Sequence, residues 1–340
     1  MRRLMISKSK IFFTIVLAAM IFFVEMKGYT PDIIVAKDGS GNFISIQQAI
    51  DALPAKTEGR YVILIKNGIY HEKIFIEKSS IAFIGEDRES TMIVYAELRS
   101  NWKAMHQDDW GAAVVNIKEG TSDLIFQNLT VHNNYGSLYG RNDHQFAICG
   151  GGTRIILVDC NIIADGGDAL SLWNKVDGMY YHKNCYFEGY VDYVCPRGWC
   201  YITDSKFYGH NKNASLWHDG SNDENQKFVI CNSKFDGVPG FALGRFHRDA
   251  QFYLVDCTFS NNMADKAIYH KISDPPVRLR WGEKRIYFFN CHGDSIDYSW
   301  HEDNLDFAQS KFSPDGITPA WIFKGKWDPV AILKEMDENK

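Results

Sequence analysis

Short apolar segments, rather than long amphipathic helices, make up most of the chain after residue 60. Seven of them carry Asn or Asp, usually followed by Cys or Ser, with an apolar or aromatic residue commonly two further on: FQNLTV, VDCNII, KNCYFE, TDSKFY, CNSKFD, VDCTFS and FNCHGD. The marker residues Cys160, Cys185, Ser205, Ser233 and Cys257 follow one another at intervals of 25, 20, 28 and 24 residues. Irregular repeats of this length, rich in strand and poor in helix, indicate a solenoid.

This pattern predicts an all-β fold, a single-stranded right-handed parallel β-helix. Each turn of such a solenoid must satisfy its backbone groups against the coils above and below, which suits stacked Asn and small polar or thiol residues. A β-sandwich and a propeller are the all-β alternatives. Hairpin signals are sparse and no Trp-Asp blade signature recurs, so the β-helix is favoured over both.

Helices are expected only near the ends of the chain. Ile46, Ala49, Ile50 and Leu53 recur at helical spacing before Pro54, which predicts a short N-terminal capping helix. The tail ITPAWIFKGKWDPVAILKEM predicts an aromatic packing segment followed by a short helix that covers part of the solenoid. No linker rich in Pro, Ser or Gly interrupts the chain, so we expect one domain over residues 29–340.

The first 28 residues have a different character. Four basic residues between positions 2 and 10 precede the apolar run IFFTIVLAAMIFFV. This arrangement is typical of a secretory signal peptide, here residues 1–28, although no A-x-A motif marks the cleavage site. An uncleaved N-terminal anchor is the alternative. We expect an exported protein, periplasmic or secreted in a bacterium, with no membrane contact after signal cleavage.

Composition and net charge limit the classes of molecule that the protein is expected to bind. The chain has 340 residues, 45% of them hydrophobic, and a formal net charge of −5, which suits a globular monomer with a sizeable core. Such a balance carries no electrostatic footprint for nucleic acid. It leaves room for an anionic polysaccharide, which a local Arg or Lys can hold.

Most of the eight cysteines do not suggest disulfides. Cys160, Cys185, Cys257 and Cys291 occupy one repeat position, so we expect them to stack as small buried residues. One pair of cysteines that are close in sequence, in CPRGWC, lies outside the repeat position. Whether these two, Cys195 and Cys200, form a bridge stays open.

Two carboxylates share one place in successive repeats. Asp168 follows VDCNIIADGG and Asp192 follows HKNCYFEGYV, at nearly the same offset from the preceding repeat cysteine. Stacked coils would place them about 4.8 Å apart, one strand spacing. Two acids this close in a partly buried groove do not both ionise readily, so one serves as proton donor and the other as base or nucleophile. Each Asp taken alone fits an ordinary turn residue.

Further residues complete a candidate site. Arg245, in a later coil, would hold Asp192 ionised and leave Asp168 as the acid. Gln145, one coil before the pair, is a candidate donor to an oxyanion, and fits equally well as a hydrogen-bonding residue at a strand end. Trp173, Trp217 and Phe246 are candidates for lining a sugar-binding cleft. The scattered His144, His210 and His247 lack metal-ligand spacing, so no metal is expected.

At these residues the chain resembles the pectin methylesterase (pectinesterase) family of carbohydrate esterases. KDGSGNFISIQQAID and NGIYHEKIFI are similar to early blocks of that family, and YFFNCHGDSIDYSWHEDNL and WIFKGKWDP resemble its bacterial branch. The resemblance implies a role for each matching residue. DHQFAI places the first active-site Gln at Gln145, GGDALSLW the acid/base at Asp168, EGYVDYVC the nucleophile at Asp192, and FALGRF the orienting Arg at Arg245.

The chain departs from the family pattern close to these positions. Gly167 stands where the family has its second oxyanion Gln, and Ala169 where it has Thr. Phe246 and His247 replace the Pro and Trp that follow the Arg, which suggests an altered substrate subsite. Loss of one of two oxyanion donors costs roughly 10²–10³ in rate unless another group replaces it.

The resemblance and the paired Asp together predict hydrolysis of methyl esters on galacturonate, without a cofactor. Glycoside hydrolysis on the same solenoid is the alternative reaction, although an inverting enzyme needs its carboxyls about 6.5–9.5 Å apart. A carbohydrate-binding relative that has lost catalysis is the non-enzymatic alternative. The pectic polymer, and the choice between methyl and acetyl esters, stay open.

Overall fold

The computed structural model describes residues 30–55, 59–220, 222–300, 302–305 and 314–338. The predicted signal peptide at residues 1–28 lies outside these ranges.

Three parallel β-sheets wind around one core. Sheet A, in spatial order, contains β1 (Ile33–Val35), β2 (Tyr61–Ile65), β5 (Ile81–Gly85), β8 (Ser122–Gln127), β11 (Thr153–Val158), β14 (Met179–Lys183), β16 (Trp199–Thr203), β19 (Phe228–Cys231), β22 (Phe252–Val255) and β25 (Ile286–Phe289). Sheet B contains β3 (Gly68–Tyr70), β6 (Thr91–Tyr95), β9 (Thr130–Asn133), β12 (Asn161–Ala164), β15 (Tyr186–Gly189), β17 (Lys206–Gly209), β20 (Lys234–Gly237), β23 (Thr258–Phe259) and β26 (His292–Gly293).

Sheet C forms the third face, in two parts. The first contains β4 (Ile74–Ile76), β7 (Ala113–Ile117), β10 (Phe146–Gly150) and β13 (Leu170–Leu172), and the second contains β18 (Ala214–Trp217), β21 (Ala242–Phe246) and β24 (Tyr269–His270). Single pairs between Leu170 and Val194, and between Val194 and Leu216, join the two parts. Neighbouring strands of each sheet belong to successive coils, and such parallel crossovers are right-handed. The predicted right-handed parallel β-helix is confirmed.

The repeated Asn or Asp forms the turn between sheet A and sheet B. All seven of these residues adopt the left-handed conformation, with φ between 47° and 57°: Asn128, Asp159, Asn184, Asp204, Asn232, Asp256 and Asn290. Asn and Asp enter this region more readily than other residues with a side chain, because their short polar groups hydrogen-bond locally. The spacing of the repeats in the sequence is therefore the spacing of this turn.

The small residue after each turn points into the core. The Cys160 Sγ donates to the carbonyls of Phe126 and Val158, both at 3.3 Å, and the Ser205 Oγ donates to Thr203 O at 2.8 Å. The predicted buried stack of repeat cysteines is confirmed, since Cys160, Cys185, Cys257 and Cys291 are buried free thiols. Their thiols also donate hydrogen bonds to main-chain carbonyls. An apolar residue at the same position could not donate these bonds.

Aromatic rings stack inside sheet B from coil to coil. Phe187, Phe207, Phe235 and Phe259 lie at successive pairing positions, with ring centroids 5.2, 4.2 and 5.7 Å apart. Each contact of this kind contributes about 0.5–1.5 kcal/mol beyond the burial of area. The ladder fixes the register of the coils that carry the candidate site.

The helices are short and lie at the ends and on one side of the solenoid. They are α1 (Ile46–Ala52), α2 (Arg99–Met105), α3 (Tyr135–Tyr139), a 3₁₀ turn (Pro314–Gly316), α4 (Pro319–Ile322) and α5 (Pro329–Glu338). The predicted capping helix is α1, which begins after the N-cap Ser45 and buries Ile46, Ala49 and Ile50. The C-terminal segment packs Ile322, Phe323 and Trp327 on the outer face of sheet A. None of the described helices has the length and apolarity that crossing a bilayer requires.

Cys195 and Cys200, whose pairing the sequence left open, do not form a disulfide, because both are buried free thiols. Cys195 lies on the face of sheet C, where its Sγ is 3.0 Å from the Ser171 Oγ. Cys200 belongs to β16 of sheet A and is buried in the core. The close spacing in sequence spans a change of face in the coil, which the sequence pattern does not reveal.

Candidate active site

The two paired carboxylates lie on adjacent coils of sheet C. Leu170 pairs with Val194 in the neighbouring coil. Asp168 lies two residues before Leu170, and Asp192 lies two residues before Val194. This register places the two backbones about 4.8 Å apart. Each Asp is only 3% exposed. The sequence-derived expectation that the two acids share one place in successive coils therefore matches their position.

Both acids adopt the left-handed backbone conformation. The φ angle is 65° at Asp168 and 49° at Asp192. Hydrogen bonds hold each turn, because the Asp168 N–H donates to Val191 O at 2.9 Å and the Asp192 N–H donates to Ala214 O at 2.7 Å. Left-handed backbone costs an ordinary L-residue about 1–2 kcal/mol, and Asp is among the few that visit it routinely.

Arg245 contacts one acid of the pair. Its Nε donates to Asp192 Oδ1 at 2.9 Å, and its second guanidinium nitrogen donates to Oδ2 at 2.5 Å. Arg245 lies on β21, opposite Trp217 of β18, two coils beyond Asp192. The planar fork of a guanidinium matches a carboxylate in this two-pronged geometry and fixes its orientation.

The two carboxyls differ in charge environment. Burial raises the pKa of Asp168 well above 3.8, and the neighbouring Asp192 raises it further. Burial also raises the pKa of Asp192, but the hydrogen bonds and charge of Arg245 oppose that rise. The Asp168 Oδ1 is buried and accepts no hydrogen bond from the described residues. Asp168 is therefore the acid that keeps its proton more readily, and Asp192 is the better anion.

The side-chain amide of Gln145 contacts main-chain groups, so its expected role as an oxyanion donor stays a prediction. Its side chain is fully buried, with Nε2 donating to Arg141 O at 2.7 Å and Oε1 accepting from the Gly136 N–H at 3.1 Å. The amide thus satisfies main-chain groups beneath the site. This is the alternative role, a hydrogen-bonding residue at a strand end, that the sequence left open.

His144, the preceding residue, faces the acids instead. Its Nε2 lies 3.6 Å from Asp168 Oδ2, and its side chain is 47% exposed. Burial of the ring, and then the charge of Arg99, lower the pKa of His144 below 6.5, so the imidazole is neutral at neutral pH. A neutral imidazole can offer one N–H donor to a group bound beside Asp168. Alternation along a strand is the signal that separates His144 from Gln145.

Gly167 is tightly enclosed. A Cβ at this position would lie 2.7 Å from Val191 Cγ1 and 2.9 Å from Val191 O. The backbone of the next coil therefore occupies the space that a side chain would need. A Gln at this position would therefore require Val191 to shift, and the added Cβ would also lie 3.5 Å from the His144 Cδ2.

Aromatic residues form one wall beside the acids. Trp173 and Trp217 are partly exposed, and the rings of Trp217 and His247 lie 5.5 Å apart. The expectation for Phe246 is wrong, because this side chain is 2% exposed and stacks on His270 in the core. Since Arg245 faces outward, strand alternation turns Phe246 inward and His247 outward again.

A groove of about 570 Å³ begins at Trp173 and continues across sheet C, away from the acids. Its lining includes Trp110, Lys118, Cys149 and Lys175. The groove gives a long ligand a place to lie beyond the reacting position.

Two arginines near the acids were not identified from the sequence. The guanidinium of Arg197 lies 4.6 Å from the ring centroid of Trp173 and 5.3 Å from that of Trp217. Arg99 is held by Asp109 at 2.7 Å. Their charges lower the pKa of Asp168, against the larger effect of burial. Only the fold brings Arg99 to the site, because it lies 69 positions before Asp168.

Within the described ranges, no three His, Cys, Asp or Glu side chains are grouped so that they could hold a metal ion. The expectation that the site needs no metal stays a prediction.

Known proteins resemble this chain in sequence as well as in fold. The Pectinesterase family model matches residues 32–254. A tomato protein described as Pectinesterase/pectinesterase inhibitor U1 is 28% identical over 221 residues, which cover 60% of this chain and 34% of the relative. A carrot pectinesterase is 27% identical over 220 residues, which cover 60% of this chain and 62% of the relative. The chain thus spans about a third of one relative and less than two thirds of the other.

Solved structures share the fold. The pectin methylesterase of Erwinia chrysanthemi has a TM-score of 0.72 at 19% identity, covering 89% of this chain and 99% of that one. The carrot pectin methylesterase has a TM-score of 0.70 at 21% identity, covering 92% and 98%. A further pectin methylesterase, solved in complex with a hexasaccharide, has a TM-score of 0.71 at 20% identity, covering 89% and 99%. At these identities the likeness establishes a common architecture.

Proposed function

This chain belongs to the Pectinesterase family, and from that premise we propose that it hydrolyses the methyl esters of galacturonate residues in a pectic polysaccharide. One observation carries the proposal. Asp192, held by Arg245, lies on the coil next to Asp168, whose pKa burial raises well above 3.8. A nucleophile and a proton donor are thereby placed side by side, as acyl transfer requires.

In the first step Asp192 acts as nucleophile. A carboxylate oxygen attacks the ester carbonyl, and the carbon–oxygen bond to the methoxy group breaks. Protonated Asp168 gives its proton to the departing oxygen, so methanol leaves as a neutral molecule. Arg245 keeps Asp192 charged and correctly oriented before the attack.

In the second step water cleaves the acyl-enzyme anhydride. Asp168, now ionised, accepts a proton from the water that attacks the acyl carbon. The anhydride bond to Asp192 breaks and restores its carboxylate, Asp168 is protonated again, and the galacturonic acid that leaves gives its proton to the solvent. The proton and electron balance closes with ester, water and the two acids, and no cofactor is needed.

We assign stabilisation of the tetrahedral oxyanion to His144 in place of Gln145. The Gln145 amide is committed to main-chain groups, and Gly167 offers no side chain. The His144 Nε2 is 3.6 Å from Asp168 Oδ2, close to where an ester bound between the acids would place its carbonyl oxygen. Removing one such donor typically costs about 10²–10³ in rate.

The substrate is proposed to lie against Trp173, Trp217 and His247 and along the adjoining groove. Aromatic faces beside a long open groove suit a chain of sugar rings better than a small compact ligand. A related pectin methylesterase has been solved with a hexasaccharide, which supports a polymeric or oligomeric partner here. The protein is further proposed to be exported and to act as a monomer on pectic material.

The deciding experiment measures methanol and acetate together, across several pectic substrates, with reducing ends counted in the same samples. Methanol without new reducing ends supports the proposal. Acetate alone would transfer the same mechanism to acetyl esters. New reducing ends without methanol would replace it with glycoside hydrolysis, and pectin binding without any product would identify a non-catalytic relative.

A further inference from the structure

Three residues beside the acids form a row across three successive coils. Trp173 follows β13, Arg197 lies five residues after Asp192, and Trp217 ends β18. The Arg197 guanidinium sits between the two indoles, 4.6 Å from one ring centroid and 5.3 Å from the other. Aromatic residues flank the charge on both sides.

Main-chain hydrogen bonds hold this row in place. The Trp173 N–H donates to Gly150 O at 2.8 Å, the Arg197 N–H to Leu172 O at 2.7 Å, and the Trp217 N–H to Val194 O at 3.0 Å. Each residue is thus tied to the preceding coil. The backbone position of Arg197 is therefore fixed by its pairing with the preceding coil.

Two donor nitrogens of this row have no acceptor among the described residues. No carboxylate among the described residues forms an ion pair with Arg197, although the charge of Arg197 lowers the pKa of buried Asp219 against the effect of burial. The Arg197 Nε and the Trp217 Nε1 are buried and donate to no described residue. Buried N–H groups without acceptors are costly, so the arrangement favours a ligand that brings oxygen acceptors and negative charge.

We propose that Arg197 binds the free carboxylate of an unesterified galacturonate next to the ester under attack, and so makes the enzyme select partly de-esterified pectin. The inference rests on the proposed esterase function and names the substrate pattern for the same site. A guanidinium fork suits a carboxylate, and the two indoles suit sugar faces. Arg197 follows Asp192 on the same coil by five residues, which places the bound carboxylate close to the reacting ester.

The test compares initial rates of methanol release on fully methyl-esterified pectin and on the same pectin partly de-esterified by alkali. The variants are Arg197→Met, Arg197→Lys and a control, Arg278→Met, which removes one exposed guanidinium far along the chain. Wild type and the control should prefer the partly de-esterified substrate. Arg197→Met should lose about tenfold or more in kcat/KM on that substrate, as expected for one charge-assisted contact, and little on the esterified one. On the partly de-esterified substrate, the kcat/KM of Arg197→Lys should lie between those of wild type and Arg197→Met.

A second readout does not depend on turnover. Trigalacturonate binding, measured by calorimetry, should weaken about tenfold or more in Arg197→Met and remain unchanged in Arg278→Met, with thermal midpoints confirming that both fold. Equal slowing of Arg197→Met on both pectins, or undiminished trigalacturonate binding, would overturn the inference. A wild type that binds trigalacturonate through Arg197 yet releases no methanol would instead refute the esterase proposal alone.

Discussion

Two kinds of turn in this molecule carry Asp in the same backbone conformation. Asp159 and Asp256, between sheets A and B, have φ of 53° and 52°. Asp168 and Asp192, on the face of sheet C, have φ of 65° and 49°. The first pair stays partly exposed, and the second pair is 3% exposed.

The partners of these acids differ as well. Asp159 accepts from Asn184 Nδ2 and Asp256 accepts from Asn290 Nδ2, both at 2.6 Å. At the site, neither Asp168 nor Asp192 has such an Asn amide partner. Each instead has the other carboxyl nearby, and Asp192 also accepts from the guanidinium of Arg245. Burial then raises the pKa of both acids, most strongly that of Asp168. The comparison teaches that one residue type in one conformation serves structure or chemistry according to what surrounds it.

The largest effect is expected from removing the proposed nucleophile. Asn tolerates the left-handed conformation, so Asp192→Asn should fold and yet lose on the order of 10⁴-fold or more in kcat for methanol release. Asp256→Asn makes the same change in the structural turn and should keep near wild-type activity. Equal activities of the two variants would mean that Asp192 is only a turn residue.

The second largest effect is expected from Asp168→Asn. Its kcat for methanol release should fall by about 10²–10⁴-fold, the usual range for a general acid and base. An amide cannot protonate methoxide or activate water. Single-turnover kinetics should show both acylation and hydrolysis of the acyl-enzyme slowed. Full activity in Asp168→Asn would rule out the acid/base role.

His144→Phe should reduce kcat by about 10²-fold with little change in KM, because the lost donor acts on the transition state. His144→Gln, which retains an N–H donor, should recover part of the loss. The control is His292→Ala. His292 is similarly exposed, at 51%, and lies 3.4 Å from Asp297, yet it belongs to the far end of the solenoid. Wild-type activity in His144→Phe would remove this residue from the mechanism.

The pH dependence should be bell-shaped in kcat/KM. On the acid side activity requires ionised Asp192, whose pKa lies above 3.8 because of burial. On the alkaline side it requires protonated Asp168, whose pKa lies well above 3.8. Arg245→Met removes the charge that opposes the rise at Asp192, so the acid limb should move to higher pH. An acid limb that stays in place would show that Arg245 does not control this ionisation.

The smallest effect belongs to the structural turn. Asp159→Ala leaves an ordinary side chain at φ 53° and removes the hydrogen bond to Asn184, so unfolding free energy should fall by about 1–2 kcal/mol. Asp159→Asn should cost less, because Asn tolerates the conformation. Urea titration measures both, and methanol release should not change in either. A loss of activity without a loss of stability would contradict the division between the two kinds of turn.

Much of the fold is visible in the chain because it is local and repetitive. The positions of Asn or Asp, followed in six of seven cases by Cys or Ser, mark the seven turns between sheets A and B from Asn128 to Asn290, and the helix around Ile46 follows from spacing alone. The same repeat brought Asp168 and Asp192 together, since equal offsets in stacked coils become neighbouring positions. Arg245 was found through its motif.

The errors arose where the direction of a side chain, or a contact with a distant part of the chain, decides whether a residue lies at the site. Phe246 was expected in the cleft, but strand alternation turns it inward, and His144, which was not expected at the site, lies beside Asp168. Arg197 was passed over because its value depends on two indoles from other coils.

The sequence by itself determined the solenoid, the turns, and the acids in register, because these depend on residue type repeated at coil length. Only the tertiary structure decided which acid is harder to ionise, that His144 lies beside Asp168 and that Arg197 lies between two indole rings. These properties depend on burial and on charges from several coils, and no local stretch of the chain records such distances.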